Sequence, residues 1–153
     1  MIGACIGEPP VARGRSQPRA GAGQAGDVEW VVDGTNVMGS RPDGWWRDRP
    51  GARQRLVAQL ADLAQHGDLI TVYFDGRPSA AEDAAEARPG VTVRFAPGGR
   101  NAADDAIAAY VTGHHDPADL KVVTSDAELA RRVRVPGASV LGSGAFLKQL
   151  TVR

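Results

Sequence analysis

Five aspartates stand where an apolar run gives way to polar sequence. Asp33 ends V-E-W-V-V-D (28–33), Asp75 follows L-I-T-V-Y-F (69–74), and Asp126 comes just after L-K-V-V-T (120–124). Asp104 and Asp105 lie near the start of a helical segment that opens at Asn101, after the run V-T-V-R-F (91–95). Carboxylates gathered on one point repel by the order of 4 kcal/mol per pair at close range and an effective dielectric of about 20. A divalent cation removes that penalty. An all-oxygen donor set favours Mg²⁺ or Mn²⁺ over Zn²⁺, which prefers His and Cys. Each acid also has a plainer reading. Asp33-Gly34 and Asp75-Gly76 read as turns, and for Asp75 the turn is favoured over a ligand. Asp104 and Asp105 suit the positive end of a helix, and Asp126 suits a helix N-cap. A shared site is favoured because three acidic groups fall at equivalent places along the chain, which capping alone does not require.

The elements that must position these acids alternate. Apolar runs at 28–33, 69–74, 91–95, 120–124 and 138–141 read as strands. Between them lie helical segments: Gly51 to Gln65 with Leu56, Leu60 and Leu63 at helical spacing, a segment capped by Asn101, then 126–133, with 143–150 closing the chain. Near-continuous apolar strands separated by helices predict an α/β fold, a parallel five-stranded sheet covered on both faces. Right-handed crossovers from a central first strand place the fourth strand beside it, and ligands bind at the C-terminal strand edge where strand order reverses. Asp33, Asp126 and the Asp104/Asp105 pair would then share one cleft. Successive helix residues lie about 100° apart, so the pair divides. Ile107 and Val111 put the sheet-facing stripe near Asp104, which makes Asp104 a ligand and leaves Asp105 for a second metal, a water-mediated contact or solvent.

The chain has 153 residues, 18 basic and 18 acidic, which suits one domain and excludes bulk attraction to nucleic acid. One cysteine, Cys5, makes no internal disulfide. No apolar run approaches the roughly 20 residues that span a bilayer, and the N-terminus lacks signal-peptide order, so a cytoplasmic location is expected. Residues 1–26 hold six Gly, five Ala, three Pro and three Arg without an aromatic, and read as a disordered tail ahead of one domain at 27–153.

The motifs V-V-D-G-T-N (31–36), A-A-D-D-A-I-A (102–108) and V-V-T-S-D (122–126), in this order and spacing, resemble the NYN branch of the PIN-like ribonucleases, and within it the bacterial YacP-like group. V-Y-F-D-G (72–76) and A-F-L-K-Q-L (145–150) add to the likeness, which covers about 28–150. The resemblance implies a three-layer PIN-like (Rossmann-like) domain and metal-dependent hydrolysis of RNA phosphodiester bonds, endonucleolytic and serving RNA decay or processing. By position, Asp33, Asp104 and Asp126 match the family's metal-binding acids, Asp105 the second acid of its pair, and Asn36 the asparagine of its D-G-x-N turn. The implied cofactor is Mg²⁺ or Mn²⁺ and the implied partner is RNA, with ribosome association as an extension; no membrane partner is expected, and oligomeric state stays open. Asn36 orients Asp33 or a bound water through its amide, or is simply a turn residue. Ser125 and Thr124 are candidates for hydrogen bonds to the scissile phosphate.

A substrate surface follows the first acid. Arg41, Arg47, Arg49, Arg53 and Arg55 cluster around Trp45 and Trp46, pairing guanidinium forks for phosphates with indoles for unpaired bases. One Trp is expected in the core. Arg131, Arg132 and Arg134 read as an exposed helix face. His66, His114 and His115 make no ligand set. A phosphatase of the D-x-D-G-T type is excluded, because its nucleophile would fall on Val31. Two rivals stay open: a non-catalytic RNA- or ribosome-binding module, and a toxin nuclease with an antitoxin.

Overall fold

Strand β1 (Glu29–Asp33) lies at the centre of the sheet, in the order β3-β2-β1-β4-β5, with every pairing parallel. The other strands are β2 (Leu69–Asp75), β3 (Val91–Ala96), β4 (Leu120–Val123) and β5 (Ser139–Leu141). The computed structural model describes residues 28–99 and 101–152; the expected tail at 1–26 and Arg100 lie outside them. Among the described residues, no helix is long and apolar enough to cross a membrane.

Six α-helices cover the described sheet: α1 (Gly34–Gly39), α2 (Arg49–Ala64), α3 (Ala80–Ala84), α4 (Ala102–Gly113), α5 (Ala127–Arg134) and α6 (Ser143–Val152). Two of these correct the expectation. The D-G-T-N segment is the first turn of α1 rather than a turn between elements. Helix α3 falls between the second and third apolar runs, where no helix is expected, although Ser79 and Glu82 form a reciprocal capping box there.

Strand pleating assigns the faces. On β1, Trp30 and Val32 join a core with Leu56, Leu60, Phe74 and Phe146, beneath α2 and α6. Val31 faces the opposite side, with Tyr73, Val122, Ile107 and Leu129 beneath α4 and α5. Side chains alternate with a period of two. Asp33 therefore follows Val31, Asp75 follows Tyr73, and Thr124 follows Val122, all onto the side of α4 and α5.

Gly34 is required by close approach. A Cβ there would meet Phe74 Cε1 at 2.4 Å and the Tyr73 carbonyl oxygen at 2.9 Å. Gly34→Ala is expected to cost about 1–3 kcal/mol by overpacking, read as a lower denaturant midpoint at an unchanged m-value. A midpoint equal to that of the parent would show that α1 can lift off β2.

Candidate functional site

Asp33 sits at the C-terminal end of the central strand and is only 3% exposed. Its Oδ2 accepts the Thr124 hydroxyl proton at 2.9 Å, and its carboxylate takes the Asn36 backbone N–H. Burial, with the lesser charges of Asp104 and Asp75, pushes the Asp33 carboxyl up to about 7 against these hydrogen bonds. Asp104, half-buried on the first turn of α4, rises to about 6. Desolvation is the largest cause, followed by the charges of Asp126 and Asp75 and a hydrogen bond shared with the Asp126 carboxyl, against which Arg132 acts weakly. The pattern links Asp33, Asp75, Asp104 and Asp126 through the field each exerts on its neighbours.

Asp75 is the acid that sequence reasoning undervalued. Its Oδ1 accepts the Ala103 N–H at 3.1 Å, and its own N–H donates to Thr35 Oγ1 at 2.9 Å. It thus caps α4, a role expected of Asn101, whose side chain makes no capping bond. The signal was its strand-end position, shared with Asp33.

Asp126 does two things at once. Its Oδ1 caps α5 by accepting the N–H groups of Glu128 at 2.9 Å and Leu129 at 3.3 Å, while its carboxyl meets Asp104. Asp105 is exposed and pairs with Arg132 at 2.9 Å. Among the described residues, no group of three or more His, Cys, Asp or Glu side chains is assembled to hold a metal ion. Asp33, Asp75 and Asp126 each accept a hydrogen bond from a neighbouring hydroxyl or backbone N–H, which orients their carboxylates.

Hydroxyl and amide groups lace the loops together. Thr124 Oγ1 donates to Asp33 and accepts the Asp126 N–H at 3.1 Å, so Thr124 positions acids rather than offering itself to a phosphate. Asn36 Oδ1 accepts the Ser125 N–H at 2.9 Å and the Ser143 hydroxyl at 2.6 Å. Asn36 therefore reaches Asp33 through its main chain, while its side chain ties α1 to the β4–α5 loop and to α6. Exposed Ser125 does not cap α5; its Oγ accepts the Ser143 N–H at 2.9 Å.

A model of the YacP-like NYN domain matches residues 30–153. The chain belongs to this family. The ribonuclease-type fold and the family expected from the motifs are both found. This YacP-like NYN domain also resembles the crystal structure of Rae1 (YacP) from Bacillus subtilis, with a TM-score of 0.66 at 22% identity, covering 82% of this chain and 74% of that one. A single-residue variant of that protein gives the same score, with 76% of its chain covered. No curated protein matches the sequence.

The arginines of this YacP-like NYN domain divide. Arg47 and Arg49 are exposed, and each lies over an indole: Arg47 Cζ is 5.6 Å from the Trp46 centroid, and Arg49 Cζ is 5.4 Å from that of Trp45. Arg53 corrects the expected substrate surface. It is 8% exposed, bonds Glu82 through Nε at 2.6 Å and Nη2 at 2.8 Å, and lies 5.2 Å from the Phe95 ring centroid. Burial would raise the Glu82 carboxyl, but the Arg53 and Ser79 hydrogen bonds outweigh it and hold Glu82 below its ordinary value. The signal lay three residues away, since Arg53 shares the helical stripe of Leu56, Leu60 and Leu63. Trp45 packs against the core, and Trp46 is 55% exposed. His114 bonds Glu29 at 3.2 Å, at the start of β1 and the other end of the strand from Asp33.

Proposed function

We propose that this chain is a metal-dependent ribonuclease that hydrolyses RNA phosphodiester bonds, acting endonucleolytically in RNA decay or processing. One observation carries the reading: a ribonuclease-type fold gathers four carboxylates at the C-terminal strand edge, where burial and, to a lesser degree, one another's charge raise Asp33 to about 7 and Asp104 to about 6. Clustered carboxylate oxygen donors fit Mg²⁺ or Mn²⁺. Asp33, Asp104 and Asp126 would hold the ion, with Asp75 beside them and Asp105 at the margin. A bound divalent ion supplies Lewis-acid activation of a phosphodiester and of the attacking water.

The chain's own groups do the rest. Thr124 holds Asp33 in one rotamer and anchors the main chain of Asp126, so two acids share one support. Asn36 and Ser143 fix the β4–α5 loop, which leaves the exposed Ser125 hydroxyl its proton to donate to a substrate phosphate. Arg47, Arg49 and Trp45 border the route by which a strand enters. The substrate is cytoplasmic RNA, with or without the ribosome.

A labelled single-stranded RNA tests this. Internal cleavage is expected with Mn²⁺ or Mg²⁺, with loss in excess chelator and recovery when metal is restored. The rival reading is a non-catalytic RNA- or ribosome-binding module. Binding of the RNA without metal-dependent cleavage would establish that reading instead.

A further inference from the structure

We propose that Trp46 is a stacking platform for one unpaired base, which restricts the substrate to single-stranded RNA. The proposal rests on the ribonuclease reading for the presence of a strand in the cleft and adds how that strand is chosen.

Trp46 is solvent-exposed without being loose. It lies in a 3₁₀ turn, Trp45–Arg47, entered through Gly44 in the left-handed region at φ 73°. The turn closes onto α2, whose first turn is capped by Asp48 accepting the Gly51 N–H at 3.0 Å. Trp45 is the support: it packs on the core and meets Trp46 edge-on, with centroids 6.2 Å apart and planes at 88°. The Trp46 indole is thereby held out by a fixed neighbour, and little side-chain entropy is left to lose on stacking.

The surrounding charge suits a nucleotide. Arg47 lies over one face of the Trp46 ring and Arg49 over Trp45, so a base stacks on the indole's other face or displaces Arg47, and in either case guanidinium groups stand near for its phosphate. Aromatic stacking accepts any base, because every base has a π-face. It rejects a duplex, whose bases are already stacked and paired. Position completes the argument. Helix α1 starts directly after Asp33, and its last residue, Gly39, lies within 3.9 Å of the Trp45 ring when a Cβ is placed on it. Six helical residues span about 9 Å. The steps from Gly39 to Trp45 and from Trp45 to Trp46 add to that length, so a strand several nucleotides long can stack one base on Trp46 while a phosphodiester farther along it enters the acidic cleft.

The test separates this platform from the chemistry. Binding of a fluorescein-labelled oligouridylate is measured by anisotropy in excess chelator, where no cleavage occurs, beside an RNA duplex of the same length. Trp46→Ala is expected to weaken single-strand binding about tenfold or more. Trp46→Phe should keep most of the affinity, and the duplex should bind the parent weakly. With metal, Trp46→Ala should raise KM at unchanged kcat. Equal affinity of parent and Trp46→Ala, or equal binding of duplex and single strand, overturns the platform even if the parent cleaves RNA. Binding that depends on Trp46 in a protein that never cleaves upholds the platform and removes the ribonuclease reading. A parent that binds no oligouridylate removes the platform.

Discussion

Asp33→Asn is expected to raise the stability of the metal-free protein at pH 8 while reducing RNA cleavage to background. The Asp33 carboxyl is nearly fully buried and titrates at about 7 in the folded chain, against 3.8 when unfolded. Between those values the native state holds a proton that the unfolded chain has released. Stability is therefore highest below pH 3.8 as far as this group is concerned, and falls as pH rises towards 7. Above pH 7 the whole penalty is present, about 4 kcal/mol at 1.36 kcal/mol per pH unit. Asparagine keeps the shape and an acceptor for the Thr124 hydroxyl without the charge. The thermal midpoint of Asp33→Asn should thus exceed that of the parent at pH 8 and converge on it at low pH. Mg²⁺ should raise the midpoint of the parent at pH 8 by binding the folded form, and should do little for the variant. Parallel pH profiles for parent and variant would show that Asp33 is not the buried charge. A variant cleaving at the parental rate would show that Asp33 holds no ion.

The adjacent acids of α4 should part company. Asp104→Asn is expected to drop cleavage to background at every metal concentration, because the charge removed is the one coupled to Asp33, Asp75 and Asp126. Asp105→Asn removes an exposed partner of Arg132, a surface pair worth about 0–1 kcal/mol to stability. It should keep part of the activity, with more of the loss recovered as Mn²⁺ rises; outer groups of metal sites cost about 10- to 100-fold when lost. A metal titration of cleavage rate for both variants and the parent decides. Equal and unrecoverable losses would mean that Asp105 abandons Arg132 for the ion. Loss in Asp105→Asn alone would exchange the two roles.

Much of the site can be read from local sequence. The strand ending at Asp33, the helix carrying Asp104 with Ile107 and Val111, and the strand before Asp126 all follow from periods of two and 3.6, which neighbours in the chain enforce. Helix α3 was legible too, since Ser79 and Glu82 are a capping box three residues apart. Arg53 was hidden only by its neighbours: five arginines in a cluster read as a solvated face, yet this one occupies a core position of α2.

What the sequence by itself determined is the alternation of strand and helix, the family motifs, and the strand-end location of the acids, because these depend on residues a few positions apart. Only the tertiary structure decided the partners. Thr124 reaches Asp33 across 91 residues, Ser143 reaches Asn36 across 107, Asp75 caps a helix 28 residues on, and Arg53 finds Glu82 across 29. No local rule selects such pairs, since each polar group must be satisfied by whatever the packed sheet edge brings within reach. The chemistry of the acids has the same origin. An aspartate at the end of a strand titrates ordinarily in water; Asp33 rises to about 7 because the two cores enclose it and the loops bring Asp104 and Asp75 near it.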